Sequence, residues 1–277
     1  MRLGGGIERS YSNPEEWIAL VRELGYTTVL SPIDYRASSQ ERKDYLKCIQ
    51  DNQLILGEVG AWGNPISKDQ DVRKKALEYC KNQLALADDM NANCCVNIVG
   101  SRGDAWDAAH EDNYHEDTYA LIIDSIRDII DSVEPVRTYY TIEPMPWMIP
   151  DSPDQCLKLI KDVDRKAFAV HLDYANMINN PMKYLHSSKF IKECFALLGP
   201  YIKSVHAKDL IMSDKLPCVI EEVMPGKGSI DFSLVVRLCN ELGSDTTVFV
   251  EHLNTFEEYK QASDYVRKIM DSELGKQ

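Results

Sequence analysis

The chain has 277 residues, 44% of them hydrophobic, which is enough for a full core and too many for a disordered segment. Its 31 basic and 44 acidic side chains leave a net charge of −13, which argues against nucleic acid or an anionic membrane as a routine partner, since both attract basic faces. No apolar run reaches bilayer length, Met1-Arg2-Leu3-Gly4-Gly5-Gly6 lacks the apolar stretch of a signal peptide, and eight cysteines without C-x-x-C spacing read as free thiols, so a cytoplasmic protein is expected.

The first apolar run, Arg2–Gly5, reads as a short strand. Asn13-Pro14-Glu15-Glu16 then supplies a helix cap, a first-turn proline and two acids. Trp17, Leu20, Val21 and Leu24 follow at helical spacing. A second strand is predicted over residues 27–33, a helix over 38–50, a third strand over 54–62 and a helix over 71–89. Cys94 and Cys95 open a fourth strand, 94–101, in which such neighbours point to opposite faces. The helix over 115–132 carries Ile122, Ile123, Ile126, Ile129 and Ile130. A fifth strand spans 139–145, and Ser152-Pro153-Asp154 opens a helix that runs through Val163. Strand six covers 168–174, with a helix over Ser187–Leu198. Strand seven covers 202–208, with a helix over Phe232–Leu242. Strand eight covers 247–253, with a helix over Phe256–Leu274.

Eight strand–helix repeats without a break imply an α/β fold closed into a (β/α)8 TIM barrel, a single domain over residues 1–277. An open doubly wound sheet would normally carry a G-x-G-x-x-G turn after its first strand, and Gly4-Gly5-Gly6-Ile7-Glu8 has none. Pro225-Gly226-Lys227-Gly228 does not have the context of a phosphate loop either. The long loops at 102–113 and 176–189 both follow strands, so both should sit over the active face.

Four consecutive predicted strands end on a metal-competent side chain: Glu143, Asp173, His206 and Glu251. An acid or histidine at one strand end is ordinarily a structural ion pair. Four in a row differ, because barrel interiors favour apolar groups and buried charges persist when paired or metal-bound. Three carboxylates and one imidazole suit one divalent cation, Mn²⁺ first, with Mg²⁺, Co²⁺ or Zn²⁺ as alternatives. His171 shares a strand face with Asp173, as Lys208 does with His206. His171 reads as a neighbour of the metal set, a base one layer down or a hydrogen-bonded core histidine. Lys208 reads as a substrate-oxygen ligand or as an ion pair with Asp209 or another acid. Glu58 is a candidate ligand of a sugar hydroxyl. Trp62 and Trp147 are candidate stacking walls, with core packing as the ordinary alternative. Arg102 and His110 fall in the loop after strand four, and His186 near a lid or subunit contact.

Over nearly its whole length the chain resembles the xylose-isomerase-like superfamily of sugar isomerases and epimerases. The resemblance rests on Gly25-Tyr26, Ile142-Glu143, Leu172-Asp173, Val205-His206-Ala207-Lys208-Asp209, Pro225-Gly226-Lys227-Gly228-Ser229-Ile230-Asp231-Phe232 and Val250-Glu251-His252. It implies a metal set of Glu143, Asp173, His206 and Glu251, with Glu143 and Glu251 also acting as acid and base on the two faces of a sugar. Self-association is common in that superfamily. Two positions depart from its 3-epimerases: Asn176 stands where many relatives have the histidine of D-x-x-H, and Met212 where an arginine is usual.

The expected chemistry is proton transfer beside a sugar carbonyl through a metal-stabilised enediolate, on a small carbohydrate. Return of the proton to the same carbon epimerises, return to the next carbon isomerises, and loss of a β-substituent would make a lyase or dehydratase. An apurinic endonuclease of related fold would need further histidines, including Asp-x-His, which does not occur here. A sugar-binding barrel without activity is the remaining reading.

Overall fold

The computed structural model describes residues 1–275. Eight parallel strands form a nearly closed barrel: β1 (Arg2–Gly5), β2 (Thr28–Leu30), β3 (Ile55–Gly60), β4 (Cys94–Asn97), β5 (Tyr139–Ile142), β6 (Phe168–Leu172), β7 (Ile202–His206) and, last in the chain, Thr247–Val250. Between β7 and that last strand lies an antiparallel hairpin, β8 (Asp209–Met212) with β9 (Ile220–Val223), so Thr247–Val250 is β10. Spatially β10 sits between β1 and β7, and the other strands follow in sequence order. Between β1 and β2 the seam is closed by Thr27, whose backbone N–H donates to the Leu3 carbonyl at 2.9 Å while its hydroxyl accepts from the Leu3 N–H at 3.1 Å.

The helices stand where the caps place them. Asn13 accepts from the Glu16 N–H at 2.8 Å and opens Pro14–Leu24, which buries Trp17, Ile18, Val21 and Leu24 against the barrel. Ser38 and Glu41 form a reciprocal capping box at the start of Ser39–Asp51, and Thr255 and Glu258 do the same for Phe256–Leu274. In Glu116–Val133 the stripe Ile122, Ile126, Ile129 and Ile130 is buried, while Ile123 lies half-buried at its edge. Among the described residues no helix is long and apolar enough to cross a membrane.

Seven of the eight predicted strands run past the observed C-terminal ends by two to four residues. The apolar run continues there, but the chain has left the sheet to form the mouth. Glu143, Asp173 and Glu251 are each the first residue beyond their strand, and His206 is the last residue of β7. Single ladder bonds still hold the departing backbone: Glu143 N–H to the Asn97 carbonyl at 2.9 Å, and Ala207 N–H to the Phe249 carbonyl at 2.7 Å.

The hairpin has no counterpart among the predicted elements. Its strands have four residues each, Asp-Leu-Ile-Met and Ile-Glu-Glu-Val, and neither alternates apolar with polar residues, so no strand signal separates them from loop. The loop at 176–189 is partly helical, with turns at Tyr174–Met177 and Pro181–Leu185. The hairpin hangs from Asp209, which is buried and accepts four backbone N–H groups: Leu210, Gly226 and Ile230 at 2.9 Å and Gly228 at 2.8 Å. This explains the Pro-Gly-Lys-Gly sequence. Gly226 has φ +89, and a Cβ on Gly228 would lie 2.3 Å from the Asp209 carboxylate. Asp209→Ala strands four donors and should cost on the order of 3–5 kcal/mol, read as a lower urea midpoint at unchanged slope.

Candidate metal centre and active site

At the barrel mouth the four strand ends converge. His206 Nδ1 lies 2.8 Å from Glu251 Oε1, 3.4 Å from Glu143 Oε1 and 3.5 Å from Asp173 Oδ2. One ligand-capable atom from each of the four residues falls within 4.8 Å of all the others. A six-coordinate ion with bonds of about 2.1 Å sets neighbouring ligands roughly 3 Å apart and opposite ones about 4.2 Å apart, so this set fits one small divalent cation. The polar contacts support the fit: His206 Nδ1, Asp173 Oδ2 and Glu251 Oε1 are buried without a well-directed hydrogen bond, facing only one another and neighbouring charged groups such as the Lys208 ammonium.

Lys208 explains how the site tolerates its charge. It is almost fully buried, and its ammonium lies 2.7 Å from Asp173 Oδ2, in contact with Glu251 Oε1, 3.6 Å from Glu222 Oε2 and 3.9 Å from Glu143 Oε1. Of the ion-pair partners expected for it, Asp209 is thereby replaced, since that carboxylate is committed to backbone N–H groups. Burial works against the charge of Lys208, but Asp173, Glu251 and Glu143 hold its pKa well above the ordinary value. Burial also opposes a charge on His206, and Glu251 and Glu143 more than offset it, so this pKa too is raised. For Asp173 burial acts against ionisation and Lys208 and His206 prevail, keeping the carboxyl well below the usual range. Glu251 is lowered in the same way, by His206 and then Lys208.

A polar layer supports the centre from below. Glu58, on β3, is 3% exposed; its Oε1 lies 3.1 Å from His171 Nδ1 and its Oε2 3.9 Å from His206 Nε2. Burial would raise the Glu58 pKa, but His171 and then His206 bring it below the ordinary value. His171 is fully enclosed, contacts the Ser204 hydroxyl and meets the His206 ring edge-on at 3.9 Å between centroids. Nδ1 of His206 thus faces the carboxylate set while Nε2 faces Glu58, an arrangement that orients the imidazole for a cation.

Asn176 stands at the departure from D-x-x-H. Its backbone N–H donates to Asp173 Oδ1 and its side chain to Glu143 Oε1, both at 2.9 Å. Sequence reasoning gave it no role, because the bonding depends on the bend after β6. Glu222 and His252 were also missed. Glu222 arrives on β9, an element without a clear sequence signal, and pairs with His252 Nδ1 at 3.0 Å as well as with Lys208.

Two cavities open beside the cluster. One, of 660 Å³, is lined by Glu58, Trp62, His206, Glu251 and His252 among others, and the second, of 470 Å³, by Trp147, Asn176, Asn179, Ile220 and Glu222 among others. Trp62 is 42% exposed and Trp147 40%, so both stand at the mouth rather than in the core. Arg102 and His110 serve the loop: the Arg102 N–H donates to Asn113 Oδ1 at 2.8 Å, and His110 lies 3.4 Å from Lys68 Nζ. His186 is the residue that precedes the Ser187–Leu198 helix, and its side chain makes no capping hydrogen bond there.

Residues 18–269 match the family model described as xylose isomerase-like TIM barrel. An uncharacterized protein of Methanocaldococcus jannaschii is 24% identical over 196 residues, which span 69% of this chain and 61% of that protein's length. Among solved structures, a D-tagatose 3-epimerase-like protein superposes with a TM-score of 0.74 at 19% identity, covering 99% of this chain and 98% of its own. D-psicose 3-epimerase, crystallised in the presence of D-fructose, gives 0.73 at 16% identity with both chains fully covered.

Proposed function

Because the chain belongs to the xylose isomerase-like TIM barrel family, we propose that it is a divalent-metal-dependent sugar isomerase or epimerase that moves a proton at a carbon beside a carbonyl. The observation that carries this reading is the convergence of Glu143, Asp173, His206 and Glu251 on one point at the mouth. Sugar epimerases among the structural neighbours support a carbohydrate substrate. The oxygen-rich donor set favours Mn²⁺ or Mg²⁺. Glu143, Asp173, His206 and Glu251 would hold such a cation, which would supply positive charge to offset the negative charge that develops on the substrate when a carbon-bound proton is removed.

Glu143 and Glu251 take and return the proton. Both carboxylates stand at the mouth, and Glu251 is kept ionised by His206 and Lys208, so it is ready to accept a proton. Asn176 fixes Glu143 by donating to Oε1. Asp173 is enclosed and held by Lys208 and the Asn176 N–H, which suits a ligand rather than a proton carrier. The Lys208 ammonium, between Asp173 and Glu251, can donate to a substrate oxygen that develops charge. Glu58 and His171 position His206 from below, and the cavity wall at Glu58 and Trp62 receives sugar hydroxyls and an apolar ring face.

The test is solvent exchange. Metal-loaded protein is incubated in D₂O with ketoses, aldoses and oxo-sugars. Isomers carrying deuterium next to the carbonyl are expected. Dehydrated or aglycone-released products would assign a lyase that shares the first proton abstraction, and no exchange with any compound would overturn the reading.

A further inference from the structure

Three of the four tryptophans lie at the mouth, each about 40% exposed, whereas Trp17 in the core is 1% exposed. An indole is normally among the more buried side chains, because its apolar area is large, so three left open on one rim form a surface built for contact. They are also arranged. Trp106 stands beside Trp62, with ring centroids 6.4 Å apart and planes tilted by 60°. Trp147 is pinned by its Nε1–H, which donates to the Asp107 carbonyl at 2.7 Å, so its face is presented in one orientation.

The two cavities approach the cluster from different sides. The larger includes His206 and Glu251 in its lining, and the smaller includes Asn176 and Glu222, which touch Glu143 and Lys208. Each has the volume of a small-molecule site, in a range of roughly 300–1,000 Å³. Each pairs one tryptophan face with hydrogen-bonding side chains, the combination that a sugar ring needs for its C–H face and its hydroxyls. The two linings share no residue, so a single ring held in one cavity would not reach the tryptophan of the other.

We propose that the substrate is a glycoside with a second ring, so that the reacting sugar and its attached sugar or aryl group lie in two lobes walled by Trp62 and Trp147. This rests on the isomerase or epimerase reading of the same site and names its substrate class. The second ring supplies binding energy remote from the reacting carbon, which orients that carbon between Glu143 and Glu251.

The experiment uses the full chain loaded with Mn²⁺. Solvent exchange is followed with D-fructose and methyl 3-oxo-β-D-glucopyranoside, which have one ring, and with phenyl 3-oxo-β-D-glucopyranoside and 3-oxo-cellobiose, which have two. Separately, indole fluorescence is titrated with glucose and with cellobiose, neither of which need react. The two-ring compounds are expected to show a KM at least about tenfold lower and to quench the fluorescence at lower concentration. Trp147→Ala should remove most of that advantage while changing the KM of the one-ring compounds by less than about twofold, whereas Trp62→Ala, which takes away the wall of the reacting ring, should weaken both classes. Trp147→Phe should retain part of the two-ring advantage, which guards against a folding defect in the alanine variant. Equal KM values for one-ring and two-ring compounds, or a Trp147→Ala variant that weakens both classes equally, would overturn the inference and leave the isomerase reading standing. Tight cellobiose binding without exchange of any oxo-sugar would support the two-lobed site and defeat the isomerase reading instead.

Discussion

Glu143→Gln and Glu251→Gln are each expected to lose turnover by about 10²–10⁴-fold, even with metal in excess. Glutamine keeps the size of the side chain and an oxygen that can still face a cation, but it cannot accept a proton from carbon. For Glu143 the substitution is well contained: Asn176 donates to Oε1, and that bond survives if the amide oxygen takes the same place. For Glu251 the change also removes a negative charge from beside His206 and Lys208, so its metal affinity should fall further than that of the Glu143 variant. His206→Asn provides the contrast. On the proposed reading it deletes a nitrogen ligand that moves no proton, so its main effect should be metal affinity weakened by at least about tenfold, with activity recovering as Mn²⁺ is raised. The three variants are compared by kcat at saturating Mn²⁺ and by competition with a chelator. Full recovery of a glutamine variant at high Mn²⁺ would reduce that glutamate to a ligand.

Lys208→Met should produce the second large effect, in stability and metal affinity together. The three carboxylates of the set carry three negative charges. Lys208 offsets one, and the divalent ion proposed for the site would offset the other two. Without its ammonium, the metal-free protein holds Asp173 and Glu251 buried with less compensation, and it should lose about 3–5 kcal/mol, the usual cost of removing one partner from a buried ion pair. The same substitution removes a positive charge a few Å from the cation, so metal should bind at least about tenfold more tightly. Both consequences appear without an activity assay: a lower melting temperature in chelator, a larger rise on adding Mn²⁺, and a higher chelator concentration needed to strip the ion. Methionine matches the lysine stem in length and polarisability, which limits the loss of packing. Unchanged or weaker metal binding would mean that Lys208 does not act as a rival cation.

The barrel was legible in the order of its elements because each strand and helix must bury one apolar face, and the alternation of those faces is written in local residue spacing. The four ligand candidates were legible for a related reason. A charged residue at the end of a buried strand conflicts with the apolar run before it, and four such conflicts in succession point to one compensating ion. Tertiary structure alone decided what lies between these points. Whether Lys208 pairs with Asp209 or with Asp173 and Glu251 depends on where the Pro-Gly-Lys-Gly loop folds back, and the loop takes Asp209 for its own N–H groups. That Glu222 reaches the site depends on a hairpin whose strands of four residues are too short for a periodic signal. That Trp62 and Trp147 stand open while Trp17 is enclosed depends on which side of the barrel each one leaves. An indole has the same hydrophobicity in all three places, and only the surrounding packing determines whether it is core or wall.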